Sequence, residues 1–370
     1  MAAAEPGPAD LAQSLLGGAL GVRRGESVII ETWNHSLPYA AACVVEARRR
    51  GAHPMLLLED EAAYWRSVDL APAVRRWSGV GAHEWAALAK ANAYVFFPGP
   101  ADAGRFAGLP EPTRTALTQY NHDWYRRARR ARLRGVRCLL GYASDGRAAQ
   151  WGVSAAAWRG QLLRGAVEPD LPALVRDARR TAERLRRGKV LRVTSANGTD
   201  LTLRLRGRRP YVDDGVVGPP DLAAGHNMTV SPPGTVTVAV DERSAEGMAI
   251  ASRPSFVHRR RLEGGQWEVT GGHLVNHWYT DGQEAFDRAY APPARGKEFV
   301  GSFSVGINPA LAPGVPQVED QELGAVTLAL GDNTVYGGSN RSAFNSWIVV
   351  GEATVAVDGA PLVDRGKLLA

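Results

Sequence analysis

The first half of the chain alternates short apolar runs with longer stretches in which apolar residues recur at helical spacing. Residues 37–50, directly after the first apolar run, have such a helical pattern. Buried strands that alternate with helices are typical of a parallel sheet with right-handed crossovers. The pattern in this half of the chain therefore predicts a doubly wound α/β domain. The predicted strands are 27–32 (SVIIET), 54–59 (PMLLLE), 93–97 (AYVFF) and 136–140 (VRCLL).

The pattern changes after a helix that we expect between Asp170 and Gly188. Asn197-Gly198 separates two short strand-like runs and predicts a hairpin. We therefore expect two domains: residues 1–187, an α/β domain that includes the connecting helix, and residues 188–370, a strand-rich α+β domain. The further predicted strands are 235–240, 266–270, 299–307, 326–330 and 354–357.

Composition indicates a globular protein. The chain has 370 residues, of which 45% are hydrophobic and 22% charged, so a sizeable core can form. No apolar run approaches the ~18 residues that span a bilayer, and the N-terminus lacks the basic and apolar regions of a signal peptide. The two cysteines, Cys43 and Cys138, lie in apolar stretches and suit inert core positions in a reducing compartment. We expect a cytoplasmic protein with no membrane partner.

The net charge of +6 does not by itself indicate a nucleic-acid partner. Only four of the 44 basic residues are lysine, an excess of arginine that a GC-rich bacterial genome, such as that of an actinobacterium, would produce. Arginines cluster at 126–134 and 176–187. In the second cluster apolar residues recur at helical spacing, which puts most arginines on a solvated face. We expect no nucleic-acid partner.

No GxGxxG follows the first strand, where the sequence reads Thr32-Trp33-Asn34-His35. A dinucleotide site is therefore not expected there. Five segments of the second half do form a distinctive set. They are GTDLTL (198–203), SPPGTVTVAVDERSAEG (231–247), GSFSVGINP (301–309), EDQELGAVTLALGDN (319–333) and GGSNRSAFNSW (337–347).

In this order the segments resemble the aminopeptidase T-type leucyl metallopeptidases and the related iron-dependent 2,5-dihydroxypyridine dioxygenases. The opening LGVRRGESVIIE (20–31) is similar to the start of the same family. The resemblance implies an N-terminal α/β domain, a C-terminal domain with a metal centre, and a homodimer. In the peptidases, two divalent ions held by carboxylates and histidines activate a water molecule.

The positions that correspond to the family's metal ligands carry other residues. Hydroxyls, one amide and an indole replace carboxylates and imidazoles, and none of these is a good zinc or iron ligand. We expect the dinuclear site to be dismantled and no cofactor to be bound. The five side chains would form a neutral pocket, hydrogen-bonding on one wall and aromatic on another, for a planar or amide-bearing small molecule. They are Thr235, Ser302, Thr327, Asn345 and Trp347.

Candidate acid–base residues lie near these positions in the sequence. Glu319 and Asp320, with Glu322, form an acidic cluster whose members can split their pKa values; the alternative is a solvated loop or a helix cap. His226 is a third candidate, with a structural histidine as the alternative. The Gly337-Gly338 loop would present N–H groups to an anion or form a tight turn.

A rebuilt metal site is a further alternative. His277, Tyr279 and Asp281 alternate on an apparent strand, and His273 or His226 would complete a two-histidine, one-carboxylate set. Against this, Asp281-Gly282 is a typical hairpin turn.

We therefore predict a leucyl aminopeptidase-like protein that, if it is an enzyme, is hydrolase-like and not a conventional metallo-aminopeptidase. It would transform a small molecule or short peptide without a metal, in bacterial specialised metabolism. One alternative is a catalytically inactive homologue that binds a peptide or partner. The other is a metal-dependent aminopeptidase or dioxygenase with a rebuilt ligand set.

Overall fold

The computed structural model describes residues 5–70, 81–110, 113, 120–257 and 260–369. It contains two compact units, one of residues up to 168 together with 215–233, the other of residues 169–214 and 234–370. This division differs from the predicted boundary at residue 187. The connecting helix groups with the second unit, and the chain later returns to the first.

The first unit is built on a five-stranded parallel sheet with the order β2-β1-β3-β4-β8. The four strands predicted from the apolar runs are present, within two residues at each end. The fifth, β8, was not predicted because it has four residues, of which only alternate ones are buried. The strands are β1 (Ser27–Trp33), β2 (His53–Glu59), β3 (Ala93–Phe96), β4 (Arg134–Cys138) and β8 (Met228–Ser231).

Helices connect these strands. The cysteines lie on α2 and β4, and both thiols are buried. Burial raises the pKa of the Cys138 thiol to about 12, which agrees with an inert core position. The helices are α1 (Pro8–Gln13), α2 (Leu37–Arg49), α3 (Glu61–Asp69), α4 (Ala82–Lys90), α5 (Ala103–Gly108), α6 (Tyr120–Arg130), α7 (Asp145–Trp151), α8 (Ala155–Val167) and α10 (Pro219–Ala223).

The second unit contains antiparallel sheets of eight, five and two strands. Their orders are β14-β13-β10-β6-β5-β18-β19-β20, β17-β16-β15-β9-β7 and β11-β12. The strands are β5 (Val190–Thr194), β6 (Asp200–Arg204), β7 (Tyr211–Asp213), β9 (Thr235–Ala239), β10 (Glu246–Ile250), β11 (Ser255–Val257), β12 (Arg260–Leu262), β13 (Gln266–Thr270), β14 (His273–Trp278), β15 (Val300–Gly306), β16 (Val326–Gly331), β17 (Asn345–Val350), β18 (Thr354–Val357), β19 (Ala360–Asp364) and β20 (Lys367–Leu368).

One core fills the second unit. Leu191 and Leu203 of the larger sheet belong to the same buried cluster as Val238 and Phe303 of the five-stranded sheet. The predicted Asn197-Gly198 hairpin joins β5 to β6. The helix predicted after Asp170 is α9 (Leu171–Arg187). The predicted α/β plus strand-rich α+β architecture is confirmed.

The α9 helix has the predicted amphipathic character. Leu174, Ala178 and Leu185 are buried on one face. Arg186 and Arg187 both contact Glu183, on the exposed side. The arginines of this cluster therefore have solvated or intramolecular roles, while the expectation of no nucleic-acid partner stays a prediction. Among the described residues, no helix combines the length and apolarity that crossing a membrane requires.

The predicted hairpin turn at Asp281-Gly282 is wrong. Strand β14 ends at Trp278, and Gly282 has a φ of 84° and begins the helix α11 (Gln283–Tyr290). The sequence signal for a left-handed glycine was correct, but a left-handed residue serves a helix start as well as a hairpin.

Candidate functional site

One face of the five-stranded antiparallel sheet is polar, and the other is apolar. Along β9, Val236 and Val238 point into the core, while Thr235 and Thr237 point to the opposite side, as strand geometry requires. Cross-strand register extends the polar face over β15, β16 and β17. The sheet therefore offers one surface of short polar side chains.

The register puts all five predicted pocket residues on this polar face. Ser302 pairs with Ala329, which in turn pairs with Trp347. Thr235 and Ser302 are buried, and Trp347 is 43% exposed. The polar face thus runs from buried hydroxyls to an exposed indole, and its role as a binding pocket stays a prediction.

The hydroxyls of the polar face form a row in which some are hydrogen-bonded to each other and one is not. Thr237, Ser304 and Thr327 are direct cross-strand neighbours, and the Thr237 and Ser304 oxygens lie 2.7 Å apart in a hydrogen bond. Thr327 Oγ1 is buried and has no hydrogen-bond partner among the described residues. Since a buried hydroxyl without a partner is costly, Thr327 marks a place where a ligand group can bond.

At the β17 end of the polar face, Asn345 already has a hydrogen-bond partner. Asn345 pairs with Gly331 at the end of β17, and its Oδ1 accepts a 2.8 Å hydrogen bond from the Asp332 N–H. Its one metal-binding atom therefore already carries one hydrogen bond.

Two of the predicted acid–base residues lie in the loop between β15 and β16. Burial raises the pKa of Glu319 to about 8, with further contributions from the negative charges of Asp320 and Glu322. Burial also raises the pKa of Asp320 to about 6. Glu322 forms an ion pair of 3.2 Å with Arg253. Glu319 and Asp320 are therefore not a fully solvated acidic loop, and their pKa values are separated.

Three residues that the sequence analysis missed connect this acidic pair with the polar face. Tyr211 and Asp213 on β7 pair with Thr237 and Thr235, so both point to the polar side. The Tyr211 ring contacts Tyr336 edge-on, with centroids 5.9 Å apart. Burial, and then the charges of Asp320 and Asp213, raises the pKa of Tyr336. The only sequence signal was the alternation in Tyr211-Val212-Asp213, on a three-residue strand.

The Gly337-Gly338 loop does bind an anion, but the anion is a carboxylate of the chain itself. Glu242 accepts hydrogen bonds from the Ser339 N–H at 3.0 Å and the Ser339 hydroxyl at 3.2 Å. It also receives two from Arg208, at 2.9 and 3.0 Å, and one from Asn333 at 2.9 Å. The loop is therefore a tight structural turn organised around Glu242, which replaces the predicted external anion.

The histidine candidates do not form one cluster. His226 belongs to the first unit, whereas Glu319 and Asp320 belong to the second, so a joint role for these three residues stays a prediction. His277 Nε2 lies 2.8 Å from Asp287 Oδ1. His273 contacts the Phe299 ring, with centroids 4.5 Å apart.

The candidate ligands of the alternative, rebuilt metal site do not lie together. Asp281 is exposed beyond the end of β14, next to the start of α11. Tyr279 is buried and accepts a 2.9 Å hydrogen bond from Trp267 Nε1. Within the described residues, no three or more His, Cys, Asp or Glu side chains are grouped so that they could hold a metal ion.

Comparison with solved structures identifies the architecture. Wild-type AmpT from Thermus thermophilus superimposes with a TM-score of 0.73 at 19% identity, covering 98% of this chain and 99% of that one. The fold is that of aminopeptidase T. The 2,5-dihydroxypyridine dioxygenase of Pseudomonas putida KT2440 is similar at a TM-score of 0.64 and 14% identity, with 98% of each chain covered. No family model and no curated protein sequence matches the chain.

The residues on the polar face do not fit the metal centre that the resemblance implies. At the five positions that correspond to the family's ligands, the donor set is neutral: two threonines, a serine, an asparagine amide and an indole. Such groups do not replace carboxylate and imidazole as ligands for two divalent ions. The aminopeptidase T fold is therefore combined in this chain with neutral side chains at these five positions.

Proposed function

We propose that this chain is an aminopeptidase-like protein with a dismantled dinuclear site, and that it transforms a small molecule or short peptide without a metal. The observation that carries the proposal is the set of five neutral residues on the polar face, beside an acidic pair with separated pKa values. Pairs of this kind often supply an acid and a base at the same pH. Bacterial specialised metabolism is the proposed setting.

The acidic pair suggests a division of roles. With a pKa of about 8, Glu319 keeps its proton near neutral pH and can donate it to a leaving group. With a pKa of about 6, Asp320 is mostly ionised and can accept a proton from water or from the substrate. Tyr336, close to Asp320, would orient a bound group.

The substrate class follows from the pocket residues. Thr327 offers an unused hydroxyl, and Trp347 offers an exposed aromatic surface. A planar or amide-bearing molecule can bond to the first and stack on the second. Because the face carries no fixed cation among its five replaced positions, a neutral group fits it better than an anion.

Metal analysis is the first test. The purified protein is dialysed against a chelator, and its transition-metal content is measured before and after. We expect clearly substoichiometric metal and no hydrolysis of leucine p-nitroanilide when zinc, cobalt or manganese is added. Stoichiometric metal, or hydrolysis that rises with metal and falls with chelator, would refute the proposal and return His226, His273, His277 and Asp281 to consideration.

A second test locates the pocket. Short peptides and aromatic amides are screened by tryptophan fluorescence against the wild type, Trp347→Phe and Trp278→Phe. Trp278 is a matched control because it is 45% exposed, close to the 43% of Trp347, but lies on the other large sheet. We expect only Trp347→Phe to lose the ligand-dependent signal. Equal signals in all three proteins would exclude this face as the binding site.

The same ligands separate an enzyme from a binding protein. Turnover is followed by NMR with the wild type, Glu319→Gln and Asp320→Asn. Binding in all three proteins, with product formed only by the wild type, supports the acid–base roles. Binding without product from any protein supports the alternative of a catalytically inactive homologue that binds a peptide or partner.

A further inference from the structure

The first unit has a cavity at the point where the order of strands in its parallel sheet reverses. In the order β2-β1-β3-β4-β8, the chain moves from β1 to one side for β2 and to the other side for β3. Loops that leave the carboxyl ends of such strands diverge, and ligands of open α/β sheets bind in the crevice between them. A cavity of about 540 Å³ lies there, lined by residues that follow β1, β2, β3 and β4. This volume suits a small organic molecule.

Arg159 supplies the positive charge of this cavity. Its Nη1 donates to the Ala143 carbonyl at 3.0 Å and lies 3.5 Å from Asp145 Oδ1. Its Nε and Nη2 have no partner among the described residues. These two N–H groups form the edge of a guanidinium that binds a planar carboxylate through two parallel bonds.

Tyr39 adds a donor next to Arg159. Burial raises the pKa of its hydroxyl against the opposing effect of the Arg159 charge, so the phenol keeps its proton near neutral pH. Tyr39 and Arg159 both line the cavity. Together they favour one anionic group at this end.

His35 supplies the complementary group. Its Nε2 lies 2.7 Å from the Gly141 carbonyl oxygen; since a carbonyl only accepts, Nε2 is the donor of this bond, and in the Nε2–H tautomer Nδ1 is an acceptor. Nδ1 then presents a lone pair, and this atom is buried without a partner among the described residues. A ligand N–H or O–H group would satisfy it.

The carboxylates of the cavity keep their charges, but Glu61 and Asp102 are bonded to other donors and not to Arg159. Glu61 accepts from the Ala101 and Asp102 N–H groups, at 3.1 and 2.9 Å, and from Trp65 Nε1 at 3.1 Å. Asp102 caps its own helix by accepting from the Arg105 N–H at 2.9 Å. Asp145, the one carboxylate near the guanidinium, is 90% exposed and therefore well screened by water.

We propose that this cavity binds a small organic carboxylate that also carries an N–H or O–H donor. The carboxylate would bond to Arg159 and Tyr39, and the donor to His35 Nδ1. One guanidinium balances the single charge of a carboxylate, whereas a phosphate dianion would bring a second charge without a second cation. The site is independent of the polar sheet face, which belongs to the other unit.

The test uses acid–amide pairs with the full chain. Lactate and lactamide, 4-hydroxyphenylacetate and 4-hydroxyphenylacetamide, and N-acetylglycine and N-acetylglycinamide are compared by saturation-transfer NMR and calorimetry. Phenylacetate lacks the ring hydroxyl of its hydroxylated counterpart, and inorganic phosphate tests the other anion. We expect at least one acid to bind about tenfold more tightly than its amide, because the amide loses the charge-assisted bonds.

Two arginine variants locate the binding. Arg159→Ala should weaken the acid about tenfold, and Tyr39→Phe should weaken it severalfold. Arg164→Ala is the matched control, since Arg164 lies on the same helix, α8, but does not line the cavity. Thermal melts establish that each variant is folded.

Four results would overturn the proposal. The first is that no acid binds at about 10 mM, in the weak range for a specific ligand. The second is that acids and amides bind alike. The third is that Arg159→Ala and Arg164→Ala have equal effects, and the fourth is that phosphate binds through Arg159 more tightly than every acid.

Discussion

Replacing Glu242 by glutamine tests the structure most directly, because this buried carboxylate organises the loop beside the polar face. Glu242 is 8% exposed and receives bonds from Arg208, Asn333 and Ser339. Removing one member of a buried ion pair costs about 3–5 kcal/mol, since the other charge stays buried. Glutamine keeps one acceptor oxygen for Asn333 and Ser339, so we expect about 3 kcal/mol, near the lower end of that range.

The pH dependence of this difference gives a second readout. Burial opposes ionisation of Glu242, but the bonds from Arg208, Asn333 and Ser339 outweigh it and hold the pKa well below its usual range. A carboxyl with a lowered folded pKa stabilises the protein above its unfolded pKa and loses this effect as pH falls through the folded pKa. The difference between wild type and Glu242→Gln should therefore be constant above about pH 5 and shrink below about pH 4.

Urea unfolding, followed by tryptophan fluorescence and circular dichroism, measures the effect. With a slope of about 2 kcal/mol/M, a loss of about 3 kcal/mol lowers the midpoint by roughly 1.5 M. Glu183→Gln is the control: Glu183 also contacts two arginines, Arg186 and Arg187, but on an exposed helix face, where ion pairs contribute little. A midpoint for Glu242→Gln within error of the control would refute the reasoning.

Three further predictions concern the second unit and the oligomeric state. Thr327→Val removes a buried hydroxyl that has no described partner, so we expect it to stabilise the protein by about 1 kcal/mol. Thr237→Val breaks the hydrogen bond to Ser304 and should destabilise the protein by a similar amount. Urea midpoints of the two variants that shift in the same direction would contradict this. Burial, with the charge of Asp320, raises the pKa of Glu319 to about 8. The wild type should therefore lose stability relative to Glu319→Gln as pH rises from about 5 to 9. A difference in melting temperature between the two proteins that does not change with pH would show that Glu319 is not buried. The homodimer implied by the family resemblance predicts sedimentation at about twice the chain mass of 39.7 kDa, and a monomer at all concentrations would contradict it.

Much of the fold was predictable because its strongest signals are local. The apolar runs of β1, β3 and β4 are largely buried in a parallel sheet, and that of β2 lies at its more exposed edge; all four runs are visible without knowledge of their neighbours. The Asn197-Gly198 turn requires left-handed backbone and specifies the β5–β6 hairpin. By contrast, β8 is stabilised by its pairing with β4, a contact between residues about ninety positions apart, and its four-residue pattern contains no comparable signal.

The candidate site shows the same division. Alternation along β9, β15, β16 and β17 is a property of each strand, so the sequence could put Thr235 and Ser302 on one polar side. It could not show that Tyr336 lies against Tyr211, because that contact joins a short helical turn to a three-residue strand. Nor could it show that the Gly337-Gly338 loop is already occupied by Glu242, which is nearly a hundred residues away.

The charges at and around the five replaced positions support the proposed metal-free function. Carboxylates that had lost their cations would stay buried as unpaired charges, which is strongly unfavourable. Here the corresponding positions are neutral, and the nearby acids respond in two different ways. Glu322 keeps a cationic partner in Arg253, whereas the raised pKa of Glu319 lets it stay protonated at neutral pH. Under the proposed function, these positions need no ion for charge balance, and a protonated acid beside an ionised one is the arrangement that metal-free proton transfer would use.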